Sequence, residues 1–235
     1  MAAQAPVSAV LLSGGLDSVV LLGEEAVAGM VQPLYVSVGL AWEGAERRAI
    51  DALLAAWPRH LSVGPLRTLT VDMRDVYAPT HWAMTGRAPG YHTPDVDVYL
   101  LGRNLVLLGK ATVYCATAGI SRLVMGTLAH NPFPDATPEF RSAMSAAASL
   151  GLGTPLAIEA PYAGTDKADV IRRGVRLGLP LDLTLSCMSQ PAEATGTSAS
   201  LHCGTCSKCR ERRHAFVSAQ VDDPTTYADR RLVDA

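Results

Sequence analysis

Ser13, Gly14, Gly15, Leu16, Asp17 and Ser18 form a run of small and hydroxyl residues between two apolar stretches, 9–12 and 19–22. That order predicts a buried strand, a tight turn and a helix, and the first N–H groups of a helix have no partner within it, so they are free to meet an anion. Gly14 and Gly15 let the main chain turn and come close to phosphate oxygens, while the Ser13 and Ser18 hydroxyls can donate further bonds. Asp17 is placed to position the turn or Mg2+ around a triphosphate. The Gly-Lys-Ser/Thr ending of the common P-loop is absent. A second group of reactive side chains lies near the other end of the chain. Cys203, Cys206 and Cys209 are spaced C-x2-C-x2-C, with Cys187 upstream. Four thiolates suit tetrahedral zinc, and an iron–sulfur cluster is the competing reading, although the ferredoxin-type continuation to a further Cys and Pro is missing.

The elements that must position these groups follow from hydrophobic periodicity. Apolar segments at 9–12, 33–38, 66–71, 122–126 and 155–160 predict strands, and 18–30, 43–57, 103–119, 139–151 and 166–178 predict helices between them. This rhythm is that of a doubly wound α/β fold with a mostly parallel sheet. Gly178-Leu179-Pro180 closes the last of these helices. The Pro-, Gly- and His-containing stretch 78–102 reads as a loop or lid near the site, 188–202 as a flexible bridge and 218–235 as a polar tail. Residues 1–182 are expected to form the nucleotide-binding domain and 183–235 a small C-terminal zinc-binding segment.

Composition narrows the classes. The chain has 235 residues, 49% hydrophobic, with 20 Lys+Arg against 22 Asp+Glu and a formal charge of −2. One main core is expected, and no global positive field recruits nucleic acid. The N-terminus lacks basic residues and the apolar run behind it enters the phosphate turn directly, which argues against a signal peptide; Glu24 and Glu25 interrupt the next run before it could span a bilayer. A cytoplasmic protein is expected, without a membrane partner, and a homodimer is compatible with it. Clustered cysteines in that setting point to metal ligation rather than disulfides.

The turn Ser13–Ser18 resembles the PP-loop of the ATP pyrophosphatase superfamily, whose members split ATP between the α and β phosphates. With the four cysteines, the resemblance narrows to the 7-cyano-7-deazaguanine (preQ0) synthases of queuosine and deazapurine biosynthesis. It is carried by Ser13–Ser18, Gly102-Arg103-Asn104, Pro134-Asp135 with Phe140, Thr165-Asp166-Lys167-Ala168-Asp169, Leu185-Ser186-Cys187 and Cys203-Gly204-Thr205-Cys206-Ser207-Lys208-Cys209-Arg210. It implies an ATP-dependent ligase that joins 7-carboxy-7-deazaguanine and ammonia, first to an amide and then to a nitrile, through an adenylated carboxylate. Lys167, at the start of a helix capped by Thr165 or Asp166, is placed by the resemblance near the nucleotide. Arg103 could grip a phosphate or the substrate carboxylate, or pair with a nearby Asp. Asp135 and Phe133 are expected at the substrate, with Asn104 holding the loop.

Two segments depart from the family's pattern. Gly39-Leu40-Ala41-Trp42 stands where an aromatic-Gly-Gln-Arg-His segment is usual. Asn131-Pro132-Phe133-Pro134-Asp135-Ala136-Thr137 stands where a loop of the form Ser-Gly-Tyr-Pro-Asp-Cys-Arg is usual, which removes a tyrosine hydroxyl and an arginine, and the chain is about two residues shorter between Gly126 and Phe140. Three alternatives therefore stand beside the leading one: an amide ligase for another carboxylate, a sulfur transferase, and a nucleotide sensor without turnover. His81, His92 and His130 read as loop histidines, with His130 nearest the substrate loop. Cys115 reads as a core thiol, and the run Lys208–His214 as a solvated helix face beside the metal.

Overall fold

The computed structural model describes residues 7–129, 131–189 and 200–232. Five strands, β1 (Ser8–Leu11), β2 (Val31–Ser37), β3 (Arg67–Thr70), β4 (Arg122–Val124) and β5 (Ala157–Glu159), form one sheet in the order β3-β2-β1-β4-β5, every pair parallel. The connections include helices α1 (Leu16–Ala28), α2 (Glu43–Ala55), α3 (Trp82–Thr85), α4 (Arg103–Thr117) and α5 (Pro138–Leu152), and α6 (Lys167–Arg176) follows β5. Parallel strands need such crossovers, and the crossovers bury both faces of the sheet.

Alternation along the strands divides the core. Val10 and Val124 pack with Val19, Val20, Ile50 and Ile171 from α1, α2 and α6. Their neighbours Ala9 and Leu123 pack on the other face with Leu108, Ala111 and Cys115 of α4, and Phe140 and Met144 of α5 lie against them. Cys115 is a fully buried thiol in that second core, as its apolar neighbours require. Gly174 brings α6 onto α1, because a Cβ there would stand 2.8 Å from a Val20 methyl.

The C-terminal part is more ordered than its composition indicates. Helix α7 (Ser207–Ala219) places Ala215, Phe216 and Ala219 in the same core as α1 and α6. Within the stretch read as a polar tail, β7 (Thr226–Tyr227) pairs in parallel with β6 (Leu201–His202) and buries Tyr227. The periodicity of α7 is masked by charge: it carries Lys208, Arg210, Glu211, Arg212 and Arg213, yet its apolar residues meet the main core. Residues 190–199 of the bridge, and His130, lie outside the described residues.

Candidate active site and thiolate centre

β1 has β2 on one side and β4 on the other, so the chain reverses direction of travel across the sheet at β1. Crevices at the carboxyl ends of strands flanking such a switch are where open α/β sheets bind ligands. The phosphate turn leaves β1 at this point. Gly14 takes φ +78°, and a Cβ there would stand 3.1 Å from Ile50. Gly15 caps α1 without any side-chain bond to the helix, which leaves the first-turn N–H groups facing the crevice. The Ser18 hydroxyl donates to the Gly15 carbonyl at 3.0 Å and accepts from the Ser13 N–H at 3.2 Å, closing the turn on itself. Gly126, just past β4, lies against α1: a Cβ there would stand 3.1 Å from the Asp17 carbonyl carbon. The sequence reading did not single out Gly126, whose need arises only from this close approach.

The crevice has two adjoining lobes of about 290 and 340 Å3, and Ser13, Gly15, Asp17, Trp42, Arg103, Gly126 and Lys208 border both. The first lobe is walled by aromatic and apolar groups. Trp42 stacks on Trp82 with ring centres 5.4 Å apart and planes 6° apart, and Tyr99 stacks on Phe133 at 5.0 Å. Asp135 and Asn104 lie at its edge. Asp135 accepts from the Asn104 N–H at 3.0 Å and side-chain amide at 3.2 Å, so this pair ties the loop before α5 to the start of α4. Burial raises the Asp135 pKa against the opposing pull of those bonds. The Arg103 Nε is buried without a hydrogen-bond partner in the protein, which leaves a donor for a ligand.

The second lobe holds the ionic groups. Lys167 Nζ lies 3.2 Å from Asp17 Oδ2 and also contacts Glu211 Oε1. Glu211 Oε2 in turn accepts from Lys208 Nζ at 2.6 Å. Burial works against the charged Lys167, yet Asp17 and Glu211 outweigh it and hold its pKa above the ordinary lysine value. Burial likewise raises Asp17, with Lys167 pulling the other way. The remaining oxygen, Asp17 Oδ1, is buried with no partner, a donor set that fits a divalent cation beside a phosphate.

Two buried carboxylates of α2, one of them bordering the second lobe, carried no local signal. Glu46 and Glu43 project from α2 into the interior. Glu46 accepts from the Tyr35 hydroxyl at 2.9 Å and Trp42 Nε1 at 3.1 Å; Glu43 accepts from the Val38 and Gly39 N–H groups at 2.7 and 3.0 Å. Burial, partly offset by Arg103, raises the Glu46 pKa to about 7. Both lie in the stretch 43–57, which the sequence marks only as a helix. The basic run of α7 also corrects the reading of a solvated face. Arg212 is fully buried, donating to Thr225, Thr184 and the Leu181 carbonyl, and Arg210 reaches the Tyr91 carbonyl at 2.7 Å. His81 accepts from the Ala83 N–H and caps α3, and His92 packs edge-on against Tyr91.

The sulfur atoms of Cys187, Cys203, Cys206 and Cys209 all lie within 4.8 Å of one another, and none is in a disulfide. Cys206 immediately precedes α7 and Cys209 is in its first turn. Gly204 takes φ +80° between them and Cys203, and a Cβ there would collide with the Asp229 carbonyl at 1.8 Å. The cluster packs against Ala45 and Ala49 of α2, and Leu185, two residues before Cys187, donates its N–H to the Gly14 carbonyl at 2.8 Å. The four-cysteine cluster, which could hold a metal ion, and the turn Ser13–Ser18 are thereby neighbours. No helix among the described residues is long and apolar enough to cross a membrane.

The chain is 34% identical over 238 residues to the 7-cyano-7-deazaguanine synthase of Azoarcus sp. (strain BH72), an alignment covering 96% of this chain and 98% of that protein. It is 32% identical to the enzyme of the same name from Methanothrix thermoacetophila, covering 92% and 96%. Among solved structures, a 4-thiouridine synthetase in complex with RNA and bound ATP aligns with a TM-score of 0.46 and 15% identity over 94% of this chain and 47% of that one. The family described as Queuosine biosynthesis protein QueC matches residues 7–220, and the chain belongs to that family.

Proposed function

We infer that the protein is an ATP-dependent carbon–nitrogen ligase that converts 7-carboxy-7-deazaguanine and ammonia to 7-cyano-7-deazaguanine. The observation that carries this reading is the phosphate turn at the sheet's switch point, facing an aromatic lobe, in a chain of this family. A carboxylate is a poor electrophile because oxide would have to leave. Its attack on the α-phosphorus expels pyrophosphate and gives an acyl adenylate, from which ammonia displaces AMP. The amide oxygen then attacks a second ATP, and loss of AMP with a proton leaves the nitrile. Each carboxylate oxygen thus departs in one AMP.

The chain's own groups supply binding and charge for these steps. The turn Ser13–Ser18 and Lys167 hold the polyphosphate. Asp17, through Oδ1, would hold Mg2+, which when bound neutralises charge on the phosphates. Arg103, with its unpartnered Nε, meets the substrate carboxylate or the α-phosphate. The stacked pairs Trp42–Trp82 and Tyr99–Phe133 suit a planar heterocycle. Asp135, held by Asn104, borders that heterocycle. Among the described residues no cysteine lines either lobe, which disfavours sulfur transfer.

The thiolate centre is assigned zinc. Sulfurs bound to one tetrahedral zinc at about 2.3 Å stand roughly 3.8 Å apart, and the Cys203–Cys209 and Cys206–Cys209 separations are 3.8 and 3.5 Å. Thiolates of an iron–sulfur cluster attach to different irons and spread wider. Four thiolates leave no open position for water, so the ion is structural. Residues 1–182 serve as the nucleotide-binding unit and 183–235 as the metal-binding segment, in a cytoplasmic enzyme.

The test is incubation of purified protein with the acid, ATP, Mg2+ and ammonia, with products read by mass. Amide followed by nitrile is expected. ATP consumption with neither product, in the presence of another carboxylate that is amidated, would replace the acceptor while sparing the ligase class.

A further inference from the structure

The two lysines of the second lobe arrive from different parts of the chain. Lys167 opens α6, whereas Lys208 sits on α7 between two thiolate ligands, Cys206 and Cys209. Of the pair, only Lys208 borders both lobes, together with Ser13, Gly15 and Asp17 of the phosphate turn. Its side chain retains 27% exposure, so the ammonium is held at the crevice wall and open to it. Glu211 is the group that holds it: one carboxylate oxygen takes Lys208 and the other takes Lys167. Asp17, Lys167, Glu211 and Lys208 therefore form a chain of alternating charge with no net excess.

We propose that Lys208 is a second cation for the nucleotide's polyphosphate, with Glu211 as the positioning residue that keeps Lys208 and Lys167 aimed at the phosphate turn. This rests on the ATP reading of that turn. A neutral chain of ion pairs is stable in the absence of ligand, because each ammonium has a carboxylate partner. An arriving polyphosphate offers both ammoniums oxygen acceptors of greater charge, and Lys208 swings from Glu211 to the phosphates without leaving a buried charge unpaired. The helix capped by Cys206 and carrying Cys209 thereby also carries a ligand-binding group, so the thiolate centre sets the position of part of the nucleotide site.

The test is calorimetric titration of the metal-loaded protein with α,β-methylene-ATP plus Mg2+ and, separately, with AMP, alongside elemental analysis. In wild type both bind. Lys208→Met is expected to weaken the ATP analogue by about tenfold or more, to leave AMP affinity and metal content unchanged, and Lys208→Arg to restore most of the loss. Glu211→Gln is expected to raise the KM for ATP more than it lowers kcat, as a ground-state positioning role requires. Unchanged analogue binding in Lys208→Met, or equal losses for the analogue and AMP, would overturn the role of Lys208. Equal effects of Glu211→Gln on KM and kcat would overturn the positioning role of Glu211. Wild type that binds neither nucleotide would overturn the ATP reading itself.

Discussion

Asp17 Oδ2 holds Lys167 at 3.2 Å while Oδ1 is buried without a partner. The Asp17→Asn substitution keeps the shape but removes the charge that serves both groups, and it is expected to lower pyrophosphate release on the order of a hundredfold. Turnover within a few-fold of wild type would remove Asp17 from the site. Glu46 gives a thermodynamic prediction. Its pKa rises from 4.5 to about 7 on folding because it is buried. The folded state therefore binds more protons than the unfolded state between these values, and stability contributed by the neutral form falls as pH rises through that window, by about 3 kcal/mol in total. Urea unfolding from pH 4 to 8 should show Glu46→Gln relatively more stable at the alkaline end, with the difference from wild type shrinking towards pH 4. A pH-independent difference would show that Glu46 ionises alike in both states. Glu43 works differently, since it accepts from two backbone N–H groups at the β2–α2 connection. Glu43→Ala should cost about 2–3 kcal/mol, read as a lower urea midpoint at unchanged slope.

At the scale of elements, the five strands and the five long helices α1, α2, α4, α5 and α6 were legible from the period of their apolar residues. The turn Ser13–Ser18 was legible as a junction between strand and helix, because glycine and hydroxyl residues there separate two apolar runs. Helix α7 was not, because the donors of buried Arg212 are satisfied by partners distant in sequence, Thr184, Thr225 and the Leu181 carbonyl, which no local pattern encodes. Glu46 escaped because one of its partners, Tyr35, comes from β2, while the helix itself looks amphipathic. The thiolates join α7 to the phosphate turn, so Cys206→Ser should lower metal content and soluble yield before it changes the chemical step of the folded remainder. A ligand set of this kind contributes on the order of 10 kcal/mol in small zinc modules. Because Phe216 and its neighbours also anchor α7 in the main core, the loss should be local. Elemental analysis and hydrogen exchange over 200–219 check this; iron with acid-labile sulfide in place of zinc would refute the assignment.

At the scale of the whole molecule, β1 at the sheet's switch point leads into the turn Ser13–Ser18, the segment after β4 supplies Gly126, and α6 and α7 bring Lys167 and Lys208. The departures of this chain from its family fall on Gly39–Trp42 and on 131–137, and Trp42 and Phe133 from those segments wall the aromatic lobe. Activation by adenylation is the claim on which the rest depends, and the fate of a carboxylate oxygen tests it most directly. Enzyme, ATP and ammonia would be incubated with 7-carboxy-7-deazaguanine labelled with oxygen-18 in its carboxylate, and the phosphorus products read by mass. The label is expected in AMP, one carboxylate oxygen for each AMP formed. Label in inorganic phosphate with ADP as the nucleotide product would contradict it.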